Sequence, residues 1–175
     1  ELYGRFERML GSEQRTVGIL DSRVKGIDSD SAGEYGSFDP ALFLTTGPYA
    51  AGMNDYVRNE LKYEIDQPYE VLNLNVNREW NWGSAAQGYV NVSETLREAM
   101  SKNKHLKVLI ACGYYDMATP YGASRYTVSH LGLDPALRDN IVIMYYESGH
   151  QLYTHLPSLK KMTNDASAFV KKTCQ

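Results

Sequence analysis

From residue 92 onward the apolar positions alternate between two spacings. Ser93 followed by Leu96, Ala99 and Met100 predicts an N-capped helix that ends at Lys102-Asn103-Lys104. A strand is predicted over 107 to 112, where Val108 to Cys112 are continuously apolar, as expected of a parallel strand covered on both faces. Pro120 fits the first turn of another helix, which carries Ala123, Tyr126, Thr127, Val128 and Leu131 before Gly132 stops it. A second apolar run over 141 to 146 predicts a second strand. A last helix from about 157 to 173 is opened by Pro157 and carries Leu159, Met162, Ala166, Phe169 and Val170. Helix, strand, helix, strand, helix implies parallel strands joined by crossovers. The fold class is therefore α/β.

The first half of the chain has no such alternation. Residues 1 to 88 are broken often, as at Asp28-Ser29-Asp30-Ser31-Ala32-Gly33, Phe38-Asp39-Pro40 and Thr46-Gly47-Pro48. Helices are predicted at 2 to 10 and 49 to 62, the second with Tyr49, Met53, Tyr56, Val57 and Leu61 near one face. A loop as long as 26 to 40 suits a cap or insertion better than a central sheet. Tyr63, Tyr69, Trp80, Trp82 and Tyr89 then crowd together, interleaved with Asn73, Asn75, Asn77 and Asn81. Such a set either lines a cleft or packs a thin cap against a core.

Composition narrows the function classes. The 175 residues carry 18 Lys and Arg against 21 Asp and Glu, a net charge of -3 with the basic residues scattered, so there is no footprint for nucleic acid. No apolar run approaches the roughly 18 residues that span a bilayer. The chain opens on Glu1-Leu2-Tyr3 rather than Met, from which a missing N-terminal portion is expected. Cys112 lies in a predicted strand, where it reads as a small hydrophobe. Asn91-Val92-Ser93 is a glycosylation sequon, a triplet that also arises by chance.

Two residues carry the chemistry. The first strand runs into Gly113-Tyr114-Tyr115-Asp116 and the second into Glu147-Ser148-Gly149-His150. In open α/β sheets, sites form beyond the carboxyl ends of the strands. An acid after one strand and a histidine after the next match the last two members of a triad in the chain order Ser, Asp, His. A carboxylate there can orient an imidazole, fix its tautomer and stabilise its cation. Asp116 could equally be a helix cap and His150 a turn residue. Gly149 is expected to let the backbone turn sharply before His150.

A nucleophile is not found. No Gly-x-Ser-x-Gly occurs in the chain, Ser148 is too close to His150, Ser84 does not follow a buried strand, and Ser124 lies in a predicted helix. No oxyanion hole can be assigned without it. A metal site is not expected: His150 and His155 are five apart, and His105 and His130 have no Cys or carboxylate cluster nearby.

Three segments resemble the serine carboxypeptidases, especially their bacterial members. Gly113-Tyr114-Tyr115-Asp116-Met117-Ala118-Thr119-Pro120 is similar to the family's segment around the acid, and Tyr146-Glu147-Ser148-Gly149-His150 followed by Pro157 to its histidine segment. Thr16-Val17-Gly18-Ile19-Leu20-Asp21-Ser22-Arg23 resembles part of the family's insertion, with Ile19 where Arg is expected. The resemblance runs through nearly the whole chain but covers about the last third of a family member. It implies an α/β-hydrolase fold, with 1–90 as cap or lid insertion and 91–175 as the C-terminal part of the core. Asp116 and His150 would be the catalytic acid and base, acting on peptide C-termini without a cofactor. The nucleophile and the oxyanion hole would lie mainly upstream, in the remaining N-terminal part of the same protein. Tyr114, Tyr115 and Tyr153 either shape substrate pockets or pack. The family's members enter secretory, periplasmic or vacuolar compartments. The strands alone would expose an unpaired edge, so self-association of this fragment is expected. Two alternatives are another α/β hydrolase, such as an esterase or aminopeptidase, and a non-catalytic binding module built on a hydrolase remnant.

Overall fold

Apolar strands between amphipathic helices fold here as expected of an α/β chain. The computed structural model describes residues 13–28, 38–83 and 90–174. The helix predicted at 2 to 10, most of the loop from 26 to 40, Ser84 and Tyr89 lie outside the described residues. Strands β3 (Val108–Gly113) and β4 (Ile141–Tyr146) pair in parallel, from Val108 opposite Ile141 to Gly113 opposite Tyr146. Helix α3 (Ser93–Lys102) precedes β3, α4 (Tyr121–Ser129) lies between the strands in sequence, and α5 (Leu156–Thr173) follows β4. Both α4 and α5 pack against both strands.

Sheet and core are arranged end to end. Met100 of α3 is fully buried with Leu131 and Leu133, and Leu96, Leu106, Val108, Leu137 and Ile141 pack around them. Val108 and Ile141 are the first residues of β3 and β4, so this core anchors the amino ends of the strands. Their carboxyl ends point away from it. At that end Tyr146 is buried, and its hydroxyl donates to Asp165 Oδ2 of α5 at 3.0 Å. Burial, and then the bond to Asp165, push the Tyr146 phenol up to about 12. Lys161 lies 4.4 Å above its ring and pairs with Asp165 at 2.8 Å.

The helix starts differ from expectation in detail. Ser93 is the first residue of α3 rather than its cap. The Asn91 side chain instead accepts from the Ser93 N–H at 3.0 Å and from its hydroxyl at 2.6 Å. Asn91 is exposed. Helix α4 begins just after Pro120, and Gly132 follows it at φ 65°.

The first half holds more regular structure than its Pro and Gly suggest. β1 (Arg15–Val17) and β2 (Lys25–Ile27) form an antiparallel hairpin. Helix α1 runs over Pro40–Asp55 and continues as a π turn over Tyr56–Glu60, so it starts well before residue 49. Asp39-Pro40, which reads as a break, is the start signal. Asp39 Oδ1 accepts from Ala41 N and Leu42 N, a cap worth about 1 kcal/mol, and Pro40 fits the first turn. Pro48 lies inside the helix. Only Pro40 and Ala41 of α1 are buried, while Tyr49 and Tyr56 are exposed, so the expected apolar face is not a packed one. A short helix α2 (Leu74–Glu79) follows, capped by Asn73. Tyr63, Tyr69, Trp80 and Trp82 are all exposed, neither lining an enclosed cleft nor packed in a core among the described residues.

Candidate active site

Beyond the carboxyl ends of β3 and β4 the two chains stay paired for a few residues. Tyr114 N donates to Tyr146 O at 3.0 Å and Tyr115 N to Ser148 O at 3.1 Å. This carries Asp116 and His150 outward side by side, and His150 Nδ1 lies 2.9 Å from Asp116 Oδ2. The residues are 34 apart in sequence. The contact is asymmetric in solvent: the Asp116 side chain is 6% exposed and the His150 side chain 43%. A buried acid thus holds the inner edge of a ring that solvent reaches.

Asp116 is fully satisfied. Its Oδ1 accepts from the Ala118 N–H at 2.9 Å and the Thr119 N–H at 2.8 Å. Its Oδ2 accepts from the Thr119 hydroxyl at 2.6 Å, besides meeting His150. Thr119 Oγ1 is also 3.2 Å from His150 Nδ1. A hydroxyl that donates to the carboxylate keeps lone pairs for the imidazole N–H, so the three groups close a triangle. Burial pushes the Asp116 carboxyl up, but the bonds from Thr119 and from His150 outweigh it and hold the group below its ordinary value. The carboxylate is therefore ionised at neutral pH. Asp116 also closes the turn that leads to Pro120, so capping and facing a histidine are compatible roles.

The contacts to Asp116 and Thr119 both use Nδ1, which leaves Nε2 for a substrate or a nucleophile. This arrangement can hold the Nδ1–H tautomer and stabilise an imidazolium.

Around the pair, Tyr114 stacks on Tyr145 with centroids 5.6 Å apart and meets Tyr121 edge-on. The Tyr115 hydroxyl donates to Glu147 Oε2 at 2.9 Å, and that bond raises the phenol's pKa. Tyr153 is half-exposed and meets Tyr49 of α1 edge-on at 6.3 Å. Ser148 is fully buried, and its hydroxyl has no hydrogen-bond partner among the described residues. His155 Nδ1 contacts Ser158 Oγ at 2.8 Å. Among the described residues no group of His, Cys, Asp and Glu could hold a metal ion. Cys112 is buried and free, and Cys174 is exposed.

The turn between β1 and β2 reaches this site from the other end of the chain. Leu20 O accepts from the His150 N–H at 2.6 Å, Ile19 O from the Met117 N–H at 3.0 Å, and Tyr115 O from the Ser22 N–H at 2.9 Å. Asp39 Oδ2 in turn accepts from the N–H groups of Ile19 and Leu20, which fixes the turn to the start of α1. The chain bends around Gly149, at Ser148 and His150, and this docking adds a further reason for a glycine there. Its φ is not positive, and a Cβ there would collide with the Leu20 carbonyl oxygen and lie 2.6 Å from Asp21 Cβ. The sequence alone gives Thr119, Asp21 and Arg23 no functional mark. Asp116 bonding the Ala118 N–H two residues on is a recognised turn pattern, but it points to Asp116 rather than Thr119; no local spacing marks Asp21 or Arg23.

Comparison with protein-family models, with curated proteins and with solved structures finds no match.

Proposed function

We propose that this chain is the C-terminal part of a serine carboxypeptidase, and that Asp116 and His150 are the acid and the base of its Ser-Asp-His triad. The single observation behind this reading is the 2.9 Å contact between a buried, ionised Asp116 and the inner nitrogen of His150, at the carboxyl ends of parallel strands. In the intact protein His150 Nε2 takes the proton of the attacking serine hydroxyl and then returns it to the leaving group. Asp116 keeps the ring in the Nδ1–H tautomer and stabilises its cation. The serine comes from polypeptide N-terminal to Glu1, and the reaction uses protein groups alone. The substrate is a peptide with a free C-terminus. On its own this chain is inactive.

The test is hydrolysis by the full-length protein of N-blocked peptides with free or amidated C-termini. Cleavage only of the free acids, reduced about 10⁶-fold by His150→Gln, is expected. Equal cleavage of both substrates would point to another α/β hydrolase. A full-length protein that neither cleaves nor reacts with a fluorophosphonate would point to a binding module.

A further inference from the structure

The strand ladder ends before the pair it serves. Past Gly113 and Tyr146, only short stretches of loop carry Asp116 and His150, and His150 is the more exposed of the two. Asp21 and Arg23 meet the His150 loop from 128 and 124 residues away. Asp21 Oδ2 accepts from the Gly149 N–H at 3.1 Å and from Arg23 Nη2 at 2.6 Å. Its Oδ1 accepts from Arg23 Nε at 2.9 Å and from the Arg23 backbone N–H at 3.0 Å. The guanidinium is thereby held in a two-pronged fork, the geometry that gives Arg–carboxylate pairs their direction. Arg23 Nη1 then donates to the Glu147 carbonyl oxygen at 3.0 Å, and its guanidinium carbon lies 4.5 Å from the centre of the Tyr115 ring. Tyr115 closes the loop through its hydroxyl bond to Glu147 Oε2. One ion pair thus grips the residue next to Asp116 and the residues just before His150. The Asp21 side chain is 15% exposed and that of Arg23 38%. Burial pushes the Asp21 carboxyl up, but the bonds from Arg23 and Gly149 hold it low, so the pair is charged near neutral pH.

We infer that Asp21 and Arg23 are positioning residues, a clasp that sets the His150 ring against Asp116 by fixing the Glu147–His150 loop to the turn after β1. The inference rests on the proposed roles of Asp116 and His150, but its test does not need catalysis. The readout is the set of ¹⁵N chemical shifts of the His150 ring in the full-length protein, which report the neutral tautomer. The wild type is expected to show Nδ1–H, the form Asp116 selects. In Asp21→Asn and in Arg23→Gln the balance is expected to move about threefold to tenfold toward Nε2–H, the scale of one weakened hydrogen bond. Arg23→Lys keeps the charge but loses the fork, and is expected to fall between them and the wild type. Circular dichroism accompanies each variant. Folded variants with the wild-type tautomer balance would overturn the clasp, leaving an ordinary surface ion pair. Loss of folding in all three would overturn it equally, because the ion pair would then hold the fold rather than the ring. Absence of the Nδ1–H form in the wild type would instead remove the Asp116–His150 pair itself. Failure of the full-length protein to cleave peptides would count against the proposed function and leave the clasp standing.

Discussion

Asp116→Asn changes charge and hydrogen-bonding character at one position while keeping the shape. The orientation of the new amide is set by its surroundings. Its carbonyl oxygen must face the N–H groups of Ala118 and Thr119, now 2.9 and 2.8 Å from Oδ1. The NH₂ then takes the place of Oδ2, facing the Thr119 hydroxyl and His150 Nδ1. A donor there forces Nδ1 to accept, so the ring proton moves to Nε2, the nitrogen that receives the nucleophile's proton under the proposed function. Under the proposed function, the expected loss in the full-length protein is about 10⁴-fold in kcat, the known cost of a wrong tautomer in a Ser-His-Asp triad. Stability falls for a separate reason. Two charge-assisted bonds become neutral ones, at about 1–1.5 kcal/mol each, or about 2–3 kcal/mol together. For a chain of this size that lowers Tm by about 4–12 °C. The assay pairs steady-state kinetics on a free-acid peptide with the His150 ¹⁵N spectrum. A variant within tenfold of the wild-type rate, or one that still shows the Nδ1–H form, would refute the reasoning.

Further expectations concern packing, pH and assembly. Gly149→Ala should destabilise by about 1–3 kcal/mol, since the new methyl group drives the Leu20–Asp21 backbone off the His150 loop; an unchanged urea midpoint would contradict it. Asp116 and Asp21 both lie below the ordinary carboxylate value of 3.8 in the folded chain. Their stabilisation is therefore complete above that value and is lost as pH falls through the folded values, because the unfolded chain protonates first. Urea titrations from pH 6 downward should show this loss, with a shallower slope in Asp116→Asn. The chain alone should self-associate. β3 and β4 have only each other as partners among the described residues, and Phe43, Leu44, Leu74 and Trp80 are exposed. Static light scattering at high concentration checks this, and a stable monomer would count against it.

Between residues 93 and 173 the chain order of helices and strands was legible because it is written locally. Contiguous apolar runs such as Val108–Cys112 and Ile141–Tyr146 suit strands, but the expected cover on both faces is not met: among the described residues most positions of both strands are only half-buried and Ala111 is exposed. Leu159, Met162, Ala166 and Phe169 fall one helical turn apart and suit nothing else as well. The order of an acid and a histidine after successive strands follows from the same local reading, and two parallel neighbouring strands suffice to bring Asp116 and His150 together. Helix α1 starts nine residues before its predicted start at 49 because Pro40, Gly47 and Pro48 read as breaks, although proline is favoured in a first turn. What only the tertiary structure decided are contacts across more than a hundred residues. Leu20, Asp21 and Arg23 have no spacing that points to Glu147, Gly149 and His150, because the docking depends on where folded backbone brings carbonyl and N–H groups. Gly149 shows the difference most directly: the sequence announces a residue without a side chain, and only the packed turn from Ile19 to Asp21 supplies the reason that none fits.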